Sequence, residues 1–187
     1  MNWTIPGTTL TIQREDAAAI RGQFQALFLG GGITLSQVTS ITGLDPYTIQ
    51  NWVKRGFLTK PEQKRYSLNQ LCRVITISML KGVLPMERIC GLLRYVNGKL
   101  DDESDDIIDD AELYFLFLQL AASARDLDTI EEWNRAIEAT LADYREPLPG
   151  ARDRVEQVLR IMLTAWVAAR MAQEAERMLG ALDQKEE

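Results

Sequence analysis

Histidine is absent from all 187 residues, and only two cysteines are present, Cys72 and Cys90. Without histidine there is no Ser-His-Asp or Cys-His nucleophile, no imidazole-ligated zinc and no unperturbed side-chain base that titrates near neutral pH. Two cysteines are too few for a disulfide framework, and both lie among apolar neighbours at helical spacing, the pattern of buried free thiols. No stretch approaches the ~18 consecutive apolar residues of a membrane span. Residues Met1 to Leu10 lack the basic-then-apolar order of a signal peptide, so a cytoplasmic protein without membrane contact is expected. Gly30-Gly31-Gly32 is followed by Ile-Thr-Leu rather than Gly-Lys-Ser/Thr, so it is not a P-loop. With no metal-ligand spacing and no paired nucleophile and base, the chain is expected not to be an enzyme and to need no cofactor.

What is present is an ordinary apolar fraction, 46%, enough for a core in one large or two small domains. The net charge of −6 conceals a division along the chain. Residues 33–99 hold ten Lys/Arg against Asp45, Glu62 and Glu87, a local balance of +7. Residues 101–112 hold eight acids and no base, and residues 113–187 hold nine bases against fourteen acids. Only the basic block is suited to face phosphates.

The helical signals are local and ordered. Glu15 to Leu29 places Ile20, Phe24, Leu27 and Phe28 on one face of a short helix that ends at the glycine run, which predicts a helical arm over residues 1–32 packed on the rest of the chain or on a partner. Thr34 caps a helix carrying Leu35, Val38 and Ile41 that stops at Gly43. Asp45-Pro46 is an N-cap followed by proline at the first helical position, opening a helix to Arg55 that buries Ile49, Trp52 and Val53. Two short helices around a tight glycine turn read as a helix-turn-helix. Thr59 to Tyr66 (Thr-Lys-Pro-Glu-Gln-Lys-Arg-Tyr) reads as a short basic wing. Ser67 then caps a helix with Leu71, Cys72, Ile75 and Met79 inward, and Pro85 opens another with Ile89, Cys90, Leu93 and Val96 inward.

Three stretches together carry a resemblance: Thr48 to Leu58 (Thr-Ile-Gln-Asn-Trp-Val-Lys-Arg-Gly-Phe-Leu), Lys64 to Ser67 (Lys-Arg-Tyr-Ser) and Met79 to Ile89 (Met-Leu-Lys-Gly-Val-Leu-Pro-Met-Glu-Arg-Ile). In this order they resemble the winged helix-turn-helix head of MerR-type regulators, and more closely a group of uncharacterised bacterial proteins with MerR-like heads. The likeness covers roughly residues 33–98, about a third of the chain. It departs from MerR proteins where Gln50 replaces their usual arginine on the recognition helix and where the wing is shorter. The fold it implies is all-α, with a winged helix-turn-helix head over residues 33–99. The function it implies is transcriptional regulation.

With Ile49, Trp52 and Val53 turned inward, Tyr47, Thr48, Gln50, Asn51, Lys54 and Arg55 face outward. A major groove admits one helix. Gln50 and Asn51 have the amide geometry for adenine, and Thr48 suits a base edge or a thymine methyl. Tyr47, Lys54 and Arg55, with Lys60, Lys64 and Arg65 of the wing, suit phosphates; Tyr66 packs the wing on the head or reaches the DNA backbone. Double-stranded DNA is thus the expected partner. The alternative is a winged-helix adaptor that binds protein instead of DNA.

The acidic stretch over residues 100–112 is expected to be a solvated linker. Its acids are adjacent rather than alternating, and Asp106 stands where a calcium loop needs glycine. Beyond it, residues 113–187 read as a dimerisation or effector bundle. Leu113 to Ala124 is apolar nearly all round, Asp128 caps a helix with Ile130, Trp133, Ile137, Leu141 and Tyr144 on one stripe, and Ala151 to Leu182 repeats Val155, Leu159, Met162, Trp166, Met171, Met178 and Leu182. The long last helix is a candidate homodimer surface. Met162, Trp166, Met171 and Met178 are candidates to line a pocket for a small apolar effector, though such a stripe is more often core or interface. The tail has no cysteine or histidine for metal sensing.

Overall fold

The computed structural model describes residues 2–123 and 129–183. The chain is mainly helical, with four short strands among the described residues. It opens on an antiparallel hairpin, β1 (Asn2–Thr4) with β2 (Thr11–Gln13), in which Trp3 pairs with Ile12. A 3-10 turn (Arg14–Ala19) leads into α1 (Ile20–Leu27). The expected helical arm is therefore half hairpin: three-residue strands carry too little alternation to register, although Pro6-Gly7 marks their turn.

The arm is held by three later helices, α2 (Leu35–Thr42), α4 (Leu68–Leu80) and α6 (Asp110–Ser123). Thr9 donates its backbone N–H to Ile41 O and its hydroxyl to Ser40 O. Tyr114 Oη donates to Pro6 O at 2.8 Å inside the core. Gly7 adopts φ +75°, and a Cβ there would stand 2.6 Å from Ile75 O of α4, so only glycine fits both the left-handed backbone and the close approach. Phe24 of α1 meets Phe115 edge to face at 6.1 Å.

Local capping explains where the helices begin. Thr34 and Gln37 form a capping box at α2, as do Ser67 and Gln70 at α4. Asp45 accepts from Tyr47 N at 2.7 Å, with Pro46 in the first turn of α3 (Pro46–Lys54). α5 (Met86–Asn97) follows Pro85. α7 (Ile130–Thr140) is capped by Thr129 with Glu132; Asp128, the expected cap, lies outside the described residues. α2 ends at Gly43 in the left-handed region, φ 68°. Two residues before α2, β3 (Ile33–Thr34) pairs antiparallel with β4 (Arg65–Tyr66), Ile33 opposite Tyr66.

One cluster of buried side chains runs from Trp3 to Trp166. α6 lies at its centre, with Leu113, Tyr114, Phe117 and Leu120 at most 1% exposed. α8 (Ala151–Asp183) packs on α6, α5 and α4 through its first half, where Val155, Val158, Leu159, Met162 and Leu163 are fully buried. From Met171 to Leu182 every residue of α8 is exposed. Among the described residues no helix is long and apolar enough to cross a membrane, and none of their acidic and cysteine side chains group in threes or more to hold a metal ion.

The acidic stretch is not a solvated linker throughout. Asp101 is exposed, but Ile107 and Ile108 are each 5% exposed. Ile107 N bonds to Val96 O, Asn97 Nδ2 donates to Ile108 O at 2.7 Å, and Tyr144 Oη donates to Ile107 O at 2.6 Å. Arg73 of α4 is 5% exposed. It donates from Nε to Phe57 O and from Nη1 to both oxygens of Asp110, at 3.2 and 3.0 Å. Glu112 pairs with Arg21.

Breaking a buried ion pair from one side leaves an uncompensated charge. Arg73→Met is accordingly expected to lower the unfolding free energy by about 3–5 kcal/mol in a urea titration. Adding Asp110→Leu should restore a large part of it. A single-variant loss under ~1 kcal/mol, the scale of an exposed pair, would show that the pair does not hold these elements together.

Candidate nucleic-acid interface

The outward face of α3 follows from its 3.6-residue period. Ile49 is fully buried and Trp52 is 4% exposed, with Lys81 Nζ over the Trp52 ring at 5.6 Å. That seating leaves Tyr47, Gln50 and Lys54 as one exposed ridge, with Tyr47 at 75%. Thr48 and Asn51 form a second ridge that is half-buried, and Arg55 ends it. Arg55 is partly engaged: its guanidinium lies 4.5 Å from the Phe57 ring and 3.7 Å from Glu87, both ends of the pair exposed.

The predicted wing is a tight hairpin-like loop. Glu62 bridges to Arg65, with Arg65 N bonded to Glu62 O at 2.7 Å, and Gln63 and Lys64 occupy the turn with φ of 46° and 65°. Consecutive positive φ values are those of a type I′ turn, which glycine or asparagine usually fills. Gln70 Nε2 holds the base of the loop through Thr59 O, Thr59 Oγ1 and Lys60 O. Arg65 Nη1 donates to Gly32 O at 2.9 Å, so the glycine run braces the wing. Lys60, Lys64 and Arg65 are exposed. Tyr66, a candidate DNA contact, is 3% exposed, and burial raises its phenol pKa. It is the anchor of the loop and not part of its outer surface, because the β3–β4 register turns it inward opposite Ile33.

Helix and wing meet across a cleft of about 380 Å³ lined by Leu35, Gln50, Val53, Pro61, Lys64 and Tyr66. Gln50 and Lys64, fourteen residues apart in sequence, thus share one concavity. Leu35, Val53 and Pro61 were not foreseen as parts of this surface, since nothing local in the sequence marks a wall shared by three elements. Gln70 had a visible signal, the Ser67-x-x-Gln70 capping pattern. The surface as built is polar and cationic along its rim with an apolar floor. By contrast, the four residues suggested for an apolar effector are not gathered together. Met162 and Trp166 belong to the core, where Trp166 meets Phe117 edge to face at 6.0 Å, while Met171 and Met178 are exposed on α8 at 67% and 59%.

Fold and surface define a mainly helical protein that presents a short helix and a basic loop side by side. Residues 33–117 match a family described as a domain of unknown function, DUF1836. The chain is also similar to "Uncharacterized protein YkrK" of Bacillus subtilis (strain 168), 31% identical over 86 residues. That match covers 44% of this chain and 37% of the relative, so the chain spans little more than a third of that protein's length. No solved structure matches. The similarity is to an uncharacterised bacterial family, and it continues from the α2–α3 pair through the acidic stretch into α6.

Non-glycine residues in the left-handed region are strained by roughly 1–2 kcal/mol. Gln63→Gly should therefore raise the unfolding free energy by about 1 kcal/mol in chemical denaturation. A loss of stability on that change would show that the turn is not strained at Gln63.

Proposed function

We propose that the chain is a DNA-binding transcriptional regulator whose α2–α3 pair and wing act as a MerR-like winged helix-turn-helix. The observation that carries this reading is the shared cleft: the exposed ridge of α3 and the cationic loop lie beside each other, as a helix in a groove and a wing on the adjoining strand require. In this arrangement Gln50, on the exposed ridge, reads a base edge, with Thr48 and Asn51 reaching bases beside it. Tyr47, Lys54, Arg55, Lys60, Lys64 and Arg65 hold phosphates. The negative remainder of the molecule then faces away from DNA and limits non-productive contacts.

The regulator acts as a homodimer through the exposed half of α8. Ile161, Ala168, Met171, Ala175, Met178 and Leu182 are all exposed and follow one another at spacings of seven, three, four, three and four residues. This is the seam of a two-stranded coil, and a second copy offers the same strip.

Fluorescence titration of the full chain with genomic duplex at two salt concentrations tests the DNA reading. Lys54→Ala should weaken binding on all sequences and reduce the salt slope by roughly 1. Gln50→Ala should relax preference at one base position, at a cost of ~1–3 kcal/mol. Binding absent at low salt, with no retention on heparin, would instead fit an adaptor. For the dimer, sedimentation should show wild type as two chains and Met178→Glu/Leu182→Glu as one. A monomeric wild type at micromolar concentration would overturn that arrangement.

A further inference from the structure

The apolar floor of the cleft between α3 and the wing is out of keeping with a surface that meets only phosphates and base edges. Leu35 comes from α2, Val53 from α3, and Pro61 and Tyr66 from the wing. Leu35, Val53 and Pro61 are half-buried, so each keeps part of its surface open. The space they enclose, about 380 Å³, lies within the ~300–1,000 Å³ of sites for small organic ligands. Such sites are mostly apolar, with a few polar groups that fix orientation.

The polar groups of this cleft are few and of one kind. Gln50 and Lys64 are exposed, and neither side chain has a hydrogen bond or ion pair among the described residues. No acid stands with them among the described lining residues. Tyr66, 3% exposed, carries a hydroxyl that has no hydrogen-bond partner among the described residues and is not enclosed. Lys64 sits at φ 65°, where glycine or asparagine is usual, so a long cationic side chain is kept at the mouth of the cleft despite the backbone it must adopt. An ammonium and an amide above an apolar floor complement a ligand with one negative end and one apolar body.

We propose that the cleft binds a small amphipathic anion, an aliphatic or aromatic carboxylate. Its carboxylate accepts from Lys64 Nζ and Gln50 Nε2, and its body lies on Leu35, Val53, Pro61 and the Tyr66 ring. Because the duplex is proposed to use the same Gln50 and Lys64, an occupant displaces DNA; this consequence, unlike the site itself, rests on the DNA-binding reading. The effector site is then the cleft between helix and wing and not the stripe on α8.

Calorimetric titration of the full chain without DNA tests the site. The probes are hexanoate, benzoate and phenylacetate. Acetate is the control that lacks an apolar body, and hexanol and benzyl alcohol are the controls that lack the charge. At least one probe should bind roughly tenfold tighter than acetate and the alcohols. Lys64→Asn, which a left-handed turn accepts, should remove that advantage over the alcohols, and Val53→Asp should abolish binding. Lys64 is exposed, so its variant keeps the test decisive if Val53→Asp fails to fold. No binding by any probe, equal binding of the alcohols, or affinity unchanged in Lys64→Asn would each overturn the site. In a DNA titration with the bound probe present, apparent DNA affinity should fall in proportion to the fraction of chains whose cleft is empty. Unchanged DNA affinity would overturn the displacement. A chain that binds no DNA would overturn it too, while the first titration still decides the site.

Discussion

The Arg73–Asp110 pair is the contact on which the arrangement of the molecule depends. Arg73 reaches three pieces of chain: its own helix α4, the loop after α3 through Phe57 O, and the start of α6 through Asp110. A guanidinium suits this position because its planar fork serves a carbonyl and a carboxylate at once, which an ammonium cannot do with the same geometry. Because the pair is nearly dry, it specifies where α6 begins relative to α3 more than it adds net stability. The N-terminal hairpin then closes over the same junction, with Tyr114 of α6 holding Pro6 and Ile75 of α4 lying against Gly7.

The parts of the fold that were legible in the sequence are those determined locally. Thr34, Asp45-Pro46, Ser67 and Gly43 mark helix ends by interactions spanning at most a few residues, and each stands where its pattern placed it. The exposed face of α3 was legible in part for the same reason: burying Ile49 and Trp52 leaves Tyr47, Gln50, Lys54 and Arg55 outward, whereas Thr48 and Asn51, also read as outward, are half-buried. What was hidden depends on distant partners. The acidic stretch looked solvated because its charge dominates its composition, yet Ile107 and Ile108 are drawn in by Asn97 on one side and Tyr144 on the other. Tyr66 read equally as packing the wing on the head or as reaching the DNA backbone, and its pairing with Ile33 turns it inward. Along α8 the apolar period barely changes from Val155 to Leu182, but burial ends near Trp166 and every residue from Met171 to Leu182 is exposed. Periodicity reports a face; it does not report whether the face is covered.

Two cavities are lined by wing residues, one of about 380 Å³ shared with α3 and one of about 620 Å³ shared with the acidic stretch, and Tyr66 lines both. The wing is pinned at its base by Gln70 and at its flank by Gly32, while its tip sits in a backbone conformation its residues disfavour. A loop with a fixed base and a strained tip has one stiff end and one that relaxes when its surroundings change. The sequence similarity covers most of this assembly, from Ile33 through α4 and the acidic stretch to the middle of α6, but not Gly32.

The two thiols report on this junction with different clocks. Cys72 is fully enclosed, and burial, followed by the carboxylates of Asp110 and Asp109, raises its pKa well above the usual thiol range. Cys90 is only partly covered, and its pKa is raised mainly by burial. Since the thiolate is the form that reacts, an alkylating reagent meets Cys90 in the folded molecule but reaches Cys72 only when α4 and α6 part. The slow labelling of Cys72 thereby becomes a built-in gauge of how often that seam opens.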